Sequence, residues 1–426
     1  MNAYLLLALI LPLVVSQTSA AADAPTGEAD RLAHYFQLLS AGKHAHIEEE
    51  TAALLAKGDL DPYVGRYYVR ACLALQKPDH ALAVVKGLEK EFPKSGVPPF
   101  LHGYVLSLQN DFHEADAFYR KALELEPDLP CVWFGLGFHA LERGVYDEAE
   151  AAFGREIEKH PGSEREWACR LGLGRVRLAK GEPKEALAEL GRAREALPPY
   201  LTATENDDLV RWYVALAYRD LGEIEKEIAE FGAIKSWPDR TALEIAYAYL
   251  RLGDFDKLEE VCRELNASES EAGQAMGHVY KALVLSSQRK YKKSSAETER
   301  AMEFLPKYPS LLARASTLER EHGSLAHASS YAFEYIKAYA EEKTGWDLYV
   351  AAMNAQGGAP KAIEFLSSMR ILYPKSTWRL FHLVHLTKLV GDEAKAIRYL
   401  EVLRKLDADF AEKHFPAETG DAPDDS

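Results

Sequence analysis

Cysteine is scarce in this 426-residue chain, and its spacing excludes two classes of small, cross-linked protein. No two cysteines lie at the spacing of a zinc-ligand pair, and four thiols are too few for a disulfide framework in a chain of this length. We expect buried free thiols that pack as small apolar groups. The four are Cys72, Cys131, Cys169 and Cys262.

Basic residues are outnumbered, because 51 Lys and Arg face 66 Asp and Glu and give a formal charge of −15. This balance excludes a nucleic-acid binder that tracks phosphates, since such proteins carry an excess of positive charge. The acidity favours solubility and does not by itself specify a partner.

Motifs for catalysis and cofactor binding are also missing from the sequence. It contains no nucleophile elbow, phosphate-binding loop or paired zinc-ligand spacing. His44 and His46 diverge on a helix, whereas His382 and His385 share a helix face but are surrounded by Leu and Val. A zinc site needs three or four ligands, so packing explains the second pair better. We predict a non-enzymatic protein with no catalytic residues, metal site or cofactor.

The chain begins with a short apolar run, Leu5 to Val15. A helix needs about twenty apolar residues to cross a bilayer, so this run is too short. The small residues that follow it are typical of a cleavable secretory signal, although no Lys or Arg precedes it. We predict a signal peptide over residues 1–22 and a linker over 23–27. The protein would be periplasmic if bacterial and otherwise secreted; an uncleaved membrane anchor is the alternative, and cleavage would limit membrane contact to the transient signal.

A period of thirty-four residues dominates the rest of the chain. Such a period predicts stacked supersecondary units, each of them a pair of helices. Small residues recur where the second helix crosses the first, which lets the two approach closely. These are Ala81, Ala115, Ala149, Ala186, Ala328, Ala362 and Ala396. The period is clearest where Gly103, Phe112, Ala115, Tyr119 and Pro127 are followed, thirty-four residues later, by Gly137, Tyr146, Ala149, Phe153 and Pro161.

The turns between paired helices set the boundaries of the array. Gly or Asn occupies most of them, because a helix end commonly needs a residue with positive φ. Gln76 and Arg289 stand at two such places and are predicted to turn in another way. The spacing predicts repeats over residues 28–409, with a candidate seam at 198–206. The acidic residues 410–426 are predicted to form a disordered tail.

The repeat pattern resembles that of the tetratricopeptide repeat family. The residues that carry the resemblance are Trp133, Leu136, Gly137, Tyr146, Ala149, Phe153 and Pro161. It implies an all-α fold, a right-handed superhelical α-solenoid of about eleven helix-turn-helix repeats. It also implies that the first helix of each repeat lines a concave surface that contacts bound peptides. If one disulfide forms, Cys131 to Cys169 is the first candidate, because both lie early in the first helices of neighbouring repeats.

One ladder of residues is not required by the repeat pattern itself. Residues four apart share a helix face, and the constant period stacks such pairs in neighbouring repeats. The pairs are Arg66 and Arg70, Phe100 and Tyr104, and Phe134 and Phe138; Tyr63 and Tyr67 extend the first, and later repeats place Arg175, Trp212, Tyr247 and Arg251 nearby. One interpretation is an aromatic and basic binding groove, and the other is ordinary helix packing.

The function that these features favour is an exported scaffold or adaptor that holds an extended or helical segment of another protein. Aromatic side chains would anchor the segment, and arginines would pair with its carboxylates. A cell-envelope assembly, secretion or proteolysis complex is typical of what the resemblance implies. The alternative is a component of an export apparatus that binds a polysaccharide strand on stacked aromatic rings. No feature of the sequence sets an oligomeric state.

Overall fold

A computed structural model describes residues 28–416 of the chain, except residues 164 and 203. The predicted signal peptide and linker lie outside the described residues. Across the described ranges the chain forms twenty-two α-helices and a single 3-10 turn, with no strand. The predicted all-α class is therefore confirmed. Within the same ranges, no helix combines the length and the apolarity needed to cross a membrane.

The chain divides into two compact units, residues 1–236 and 237–426. The first unit contains twelve described helices that form six helical hairpins. These are α1 (Glu28–Ser40), α2 (His44–Lys57), α3 (Pro62–Ala74), α4 (Pro78–Glu91), α5 (Val97–Leu108), α6 (Phe112–Leu125), α7 (Val132–Glu142), α8 (Tyr146–Lys159), α9 (Glu166–Ala179), α10 (Pro183–Glu195), α11 (Glu205–Leu221) and α12 (Ile224–Ala233). The 198–206 segment contains the 3-10 turn Pro199–Leu201 and lies inside this unit, so the division falls later than the predicted seam.

The second unit contains five further hairpins and one additional helix. Its helices are α13 (Pro238–Leu252), α14 (Phe255–Asn266), α15 (Glu271–Ser287), α16 (Tyr291–Phe304), α17 (Pro309–His322), α18 (Leu325–Ala338), α19 (Lys343–Ser368), α20 (Thr377–Leu389), α21 (Glu393–Leu406) and α22 (Ala408–His414). The helical geometry of α19 is broken at Gly357 and Gly358, so its two halves form one hairpin. Together the units contain the predicted eleven helix-turn-helix repeats.

The last helix, α22, corrects the predicted start of the tail. Residues 410–416 were predicted to be disordered, but Ala411 and Phe415 are buried against Leu380, Val384 and Leu403. The prediction is wrong here because the apolar side of the last hairpin needs a cover, as terminal repeats generally do. The remaining residues of the predicted tail, 417–426, lie outside the described part of the chain.

The turns and helix crossings follow from local sequence. All seven crossing alanines are fully buried, which confirms their predicted role. Gln76 and Arg289 were predicted to turn in another way, and this is wrong: their φ angles are 58° and 60°. Both adopt the left-handed conformation of the glycine turns, so the repeat geometry overrides the residue preference at these sites.

Close contacts between aromatic rings and glycines define the core of repeats three and four. A Cβ atom at Gly103 would lie 2.7 Å from the Tyr119 ring, and one at Gly135 would lie 2.6 Å from the same ring. Gly137 and Gly172 hold Phe153 in the same manner, at 2.9 and 2.5 Å. Each ring therefore fills the space between its own repeat and the next.

The four cysteines are free and buried, so the candidate bridge between Cys131 and Cys169 is not formed. Burial raises the pKa of the Cys72 thiol to about 11 and that of Cys262 to about 12. Burial also raises the pKa values of Cys131 and Cys169. The expectation of buried free thiols is confirmed.

Candidate functional site

The aromatic rungs of the predicted ladder are buried. Phe100 is 2% exposed, Tyr104 3%, and Phe134 and Phe138 1% each. The ring of Phe100 lies 5.8 Å from that of Tyr119, centroid to centroid. The prediction that these four rings form an exposed groove surface is therefore wrong. Helices α5 and α7 are buried along almost their whole length, so helix packing is the better interpretation.

The later ladder residues do not join one surface. Trp212 is buried, and its ring lies 5.0 Å from the ring of Phe231. Arg175 donates to Glu142 at 2.8 Å, which gives it a partner within the neighbouring repeat. In the second unit, Tyr247 is 43% exposed, and the guanidinium of Arg251 lies 5.5 Å from its ring centroid.

The structure does bring together five of the predicted residues, with a sixth that the sequence did not single out. We call Tyr63, Arg66, Tyr67, Arg70, Tyr104 and Arg165 the arginine–tyrosine cluster. Helix α3 carries the first four, α5 carries Tyr104, and Arg165 immediately precedes α9. Arg70 interacts electrostatically with Tyr104, Tyr67 and Arg66, and Tyr104 with Arg165. The cluster therefore joins three consecutive odd-numbered helices of the first unit with the start of α9.

Burial dominates the electrostatics of this cluster. It lowers the pKa of Arg66 and Arg70, and the charge of Arg66 lowers that of Arg70 further. Burial raises the pKa of Tyr104, while Arg70 and Arg165 oppose that rise. Positive charge is thus concentrated in poorly solvated surroundings, where an added anion interacts more strongly than in water.

Two of the arginines remain accessible to a ligand. Arg66 and Arg70 are partly exposed, and Tyr63 beside them is exposed. Arg66 Nε donates to the Tyr63 carbonyl at 3.3 Å, and its guanidinium lies 4.9 Å from the Tyr63 ring centroid. These contacts hold the guanidinium at the rim of the cluster.

The nearest buried carboxylate, Glu156, is engaged elsewhere. It accepts hydrogen bonds from the backbone N–H groups of Cys131 at 2.7 Å and Phe134 at 3.3 Å. Burial raises its pKa, and these backbone donors oppose the rise. Glu156 thus satisfies N–H groups at the start of α7, where a helix has no intrahelical acceptor for them.

The family of the chain follows from its clearest repeat. Residues 100–129, which include most of α5 and all of α6, match the family described as tetratricopeptide repeat. The same hairpin recurs at the same period through the described residues. The chain is a tetratricopeptide repeat protein. Repeats of this family form scaffolds for protein–protein interaction, and no curated protein sequence matches this tetratricopeptide repeat protein.

Solved structures of other tetratricopeptide repeat proteins resemble it at low identity. One from Parabacteroides merdae is 17% identical, with a TM-score of 0.42 over 55% of this chain and 90% of that chain. The C-terminal part of another, from Cytophaga hutchinsonii, is 14% identical, with a TM-score of 0.46 over 58% of this chain and 98% of that one. Yeast Tom70 is 13% identical, with a TM-score of 0.40 over 90% and 95%.

A serine, a histidine and an aspartate meet inside this tetratricopeptide repeat protein at distances typical of a catalytic triad. Ser107 Oγ lies 2.7 Å from His139 Nε2, and His139 Nδ1 lies 2.5 Å from Asp116 Oδ1. Ser107 and His139 are fully buried, and the serine hydroxyl donates to the Gly103 carbonyl at 2.8 Å. A substrate has no access to these atoms, so we assign the network to packing between repeats three and four. Sequence analysis missed it because its members lie in different repeats.

Metal binding has little support within the described residues, where no group of three His, Cys, Asp or Glu side chains is arranged to hold an ion. His382 Nε2 instead lies 3.0 Å from Asp347 Oδ1. Burial lowers the pKa of His382 to about 4, although Asp347 acts in the opposite direction. The histidine is therefore neutral near pH 7 and packed inside the last repeats.

Proposed function

We propose that this tetratricopeptide repeat protein is an exported, non-enzymatic scaffold that holds an acidic segment of a partner protein at the arginine–tyrosine cluster. The observation that carries the proposal is the concentration of Arg66, Arg70 and Arg165 in poorly solvated surroundings. Carboxylates form strong charge-assisted hydrogen bonds with guanidinium groups. An extended or helical segment with spaced Asp or Glu residues would supply them.

Affinity would come from compensation of the desolvated arginines. Burial destabilises their charged form, as the lowered pKa values of Arg66 and Arg70 indicate. A bound carboxylate restores favourable electrostatics in the same low-dielectric surroundings. The phenol groups of Tyr63 and Tyr67 lie beside the arginines and would contribute apolar contact area at little entropic cost.

The polysaccharide alternative loses its main support. It required a platform of exposed rings, because a sugar stacks on an aromatic face. Phe100, Phe134 and Phe138 are each no more than 2% exposed. The export component of our proposal rests on the apolar run Leu5 to Val15 and the small residues after it. Mass spectrometry of the N-terminus of the mature chain tests that component separately.

Binding of a fluorescently labelled glutamate-rich peptide to the double variant Arg66→Met, Arg70→Met tests the cluster. Hydrogen bonds to charged groups contribute about 1.5–3 kcal/mol each, so we expect binding weaker by at least about tenfold. Methionine preserves much of the side-chain length and apolar volume, and circular dichroism should show unchanged helicity. The measurement is fluorescence anisotropy at low and high salt.

A matched control comes from the exposed Arg155 on α8, whose guanidinium lies 4.7 Å from the Trp133 ring centroid and outside the cluster. Arg155→Met should bind the peptide as the unmodified protein does. A glutamine-rich peptide of equal length should bind weakly to all three proteins. Equal affinity of the double variant and the unmodified protein for the glutamate-rich peptide would exclude the cluster as the binding site.

A further inference from the structure

Three arginines on first helices of the repeats differ in what meets the Nε–Nη2 edge of the guanidinium, the edge suited to side-on pairing with a carboxylate. In Arg170, this edge contacts Glu166 Oε1, at 2.8 Å from Nε and 2.7 Å from Nη2. In Arg379, Nε donates to the Tyr373 carbonyl at 3.0 Å, and Nη1 donates to the Leu366 carbonyl at 3.2 Å. One arginine is thus held by a carboxylate and the other by backbone oxygens.

Arg314, on α17 of the second unit, has no such acceptor. Its Nε and Nη2 atoms are buried, and no group among the described residues accepts a hydrogen bond from either. Burial lowers its pKa, and it is the one influence resolved on this group. Buried polar groups nearly always have partners, so two adjacent unmet donors on one edge require an explanation. The residue as a whole is partly exposed, so a ligand has access to it.

The register of Arg314 places it in a row that runs through the second unit. Tyr280, Arg314, Leu348 and His382 follow one another at intervals of thirty-four residues. The Tyr280 hydroxyl donates to the Leu243 carbonyl at 3.3 Å, and His382 is neutral near pH 7. Arg314 is therefore the member of this row that carries a positive charge.

We propose that Arg314 is a second oxyanion-binding site of this protein, whose Nε–Nη2 edge pairs side-on with a carboxylate group of a ligand. Arg170 and Glu166 show the same edge occupied by a carboxylate within this chain. A planar carboxylate supplies acceptors to both donors at once, which backbone carbonyls around Arg314 do not. The site belongs to the second unit, so it stands or falls independently of the arginine–tyrosine cluster.

Hydrogen exchange of the full-length chain, followed by mass spectrometry, tests this proposal locally. The probes are sodium acetate, inorganic phosphate and sodium chloride at equal ionic strength. We expect acetate to slow exchange in peptides from residues 309–322 relative to chloride, and Arg314→Met to lose this protection. Arg320→Met is the matched control on the same helix, since Arg320 pairs with Glu321 at 2.8 Å, and it should keep the protection.

Thermal unfolding separates a ligand site from a structural role. Arg314→Met should unfold in chloride at the same temperature as the unmodified protein or higher, because it removes an uncompensated buried charge. Arg379→Met should unfold at a lower temperature, because Leu366 and Tyr373 lose their donor. Protection by phosphate alone would overturn carboxylate binding in favour of a phosphate ligand. Equal acetate protection in the unmodified protein and Arg314→Met, or none in either, would overturn the site itself.

Discussion

Tyr104 in the first unit and Tyr247 in the second occupy the same place in their repeats, six residues before the turn, yet their surroundings differ. Tyr104 is 3% exposed and Tyr247 is 43% exposed. Tyr104 lies on α5, which has hairpins of its own unit on both sides. Tyr247 lies on α13, in the first hairpin of the second unit, which has such a neighbour on one side only. Repeat register thus predicts which way a side chain faces, whereas neighbouring repeats decide whether it is covered.

The largest expected effect comes from truncating both tyrosines to alanine. Tyr104→Ala removes a fully enclosed ring and should lower the free energy of unfolding by about 3–5 kcal/mol. Tyr247→Ala removes a largely solvated ring and should change it by no more than about 1 kcal/mol, including its contact with Arg251. Urea unfolding followed by circular dichroism measures both. Similar losses in the two variants would contradict the contrast in burial.

A second experiment probes the glycine contacts that enclose the first-unit repeats. Gly135→Ala would place a methyl group 2.6 Å from the Tyr119 ring. Such overpacking should cost about 1–3 kcal/mol of unfolding free energy, measured by thermal or urea unfolding.

Gly154 on α8 provides the matched control, because a Cβ atom there has no neighbour within 4 Å. Gly154→Ala should stabilise the protein by about 0.5–1 kcal/mol, since alanine favours the helix. If both alanine variants were stabilised alike, the ring would have room to move and the enclosure would be looser than the contacts indicate.

The smallest expected effect concerns the polar network inside the enclosed repeats. Burial alone would raise the pKa of Asp116, but the hydrogen bonds and charges of His139 and Arg143 hold it below its ordinary value. Because the folded-state pKa is depressed, the carboxylate contributes stability above its unfolded pKa and loses it as the pH falls. Asp116→Asn should therefore be less stable at pH 7 by about 1 kcal/mol.

The pH dependence of that difference is the decisive measurement. The gap between Asp116→Asn and the unmodified protein should narrow as the pH falls below about 4, the ordinary pKa of an aspartate. Thermal unfolding in a series of buffers follows it. A gap that stayed constant from pH 7 to pH 3 would show that the hydrogen-bond geometry, and not the charge of Asp116, stabilises the network.

The sequence predicted the repeats well because their determinants are local. The crossing alanines, the turn glycines and the thirty-four-residue period each act within one hairpin. Gln76 and Arg289 show the limit of that logic, since tertiary geometry imposes a left-handed turn on residues that do not prefer it. The cover provided by Phe410 and Phe415 was also readable, as two aromatic residues near an acidic end, but the composition of the whole segment concealed it.

The site was less predictable because it depends on contacts between repeats. Arg66 and Arg70 share a helix face by spacing alone, and that part of the prediction holds. Arg165 joins them from a position three repeats along the chain, which no period connects to α3. Arg314 gave no signal in the sequence, because its significance lies in acceptors that neighbouring helices do not provide.

The four buried thiols give the protein a built-in set of chemical reporters. Each is shielded from solvent in the closed structure, and burial raises the pKa of each, so a thiol reagent reacts only after the chain around it opens. Cys262 lies alone in the second unit, and the other three lie in the first. The alkylation rate of Cys262 therefore measures how often the second unit opens, with no engineered label, while the remaining three thiols time the first.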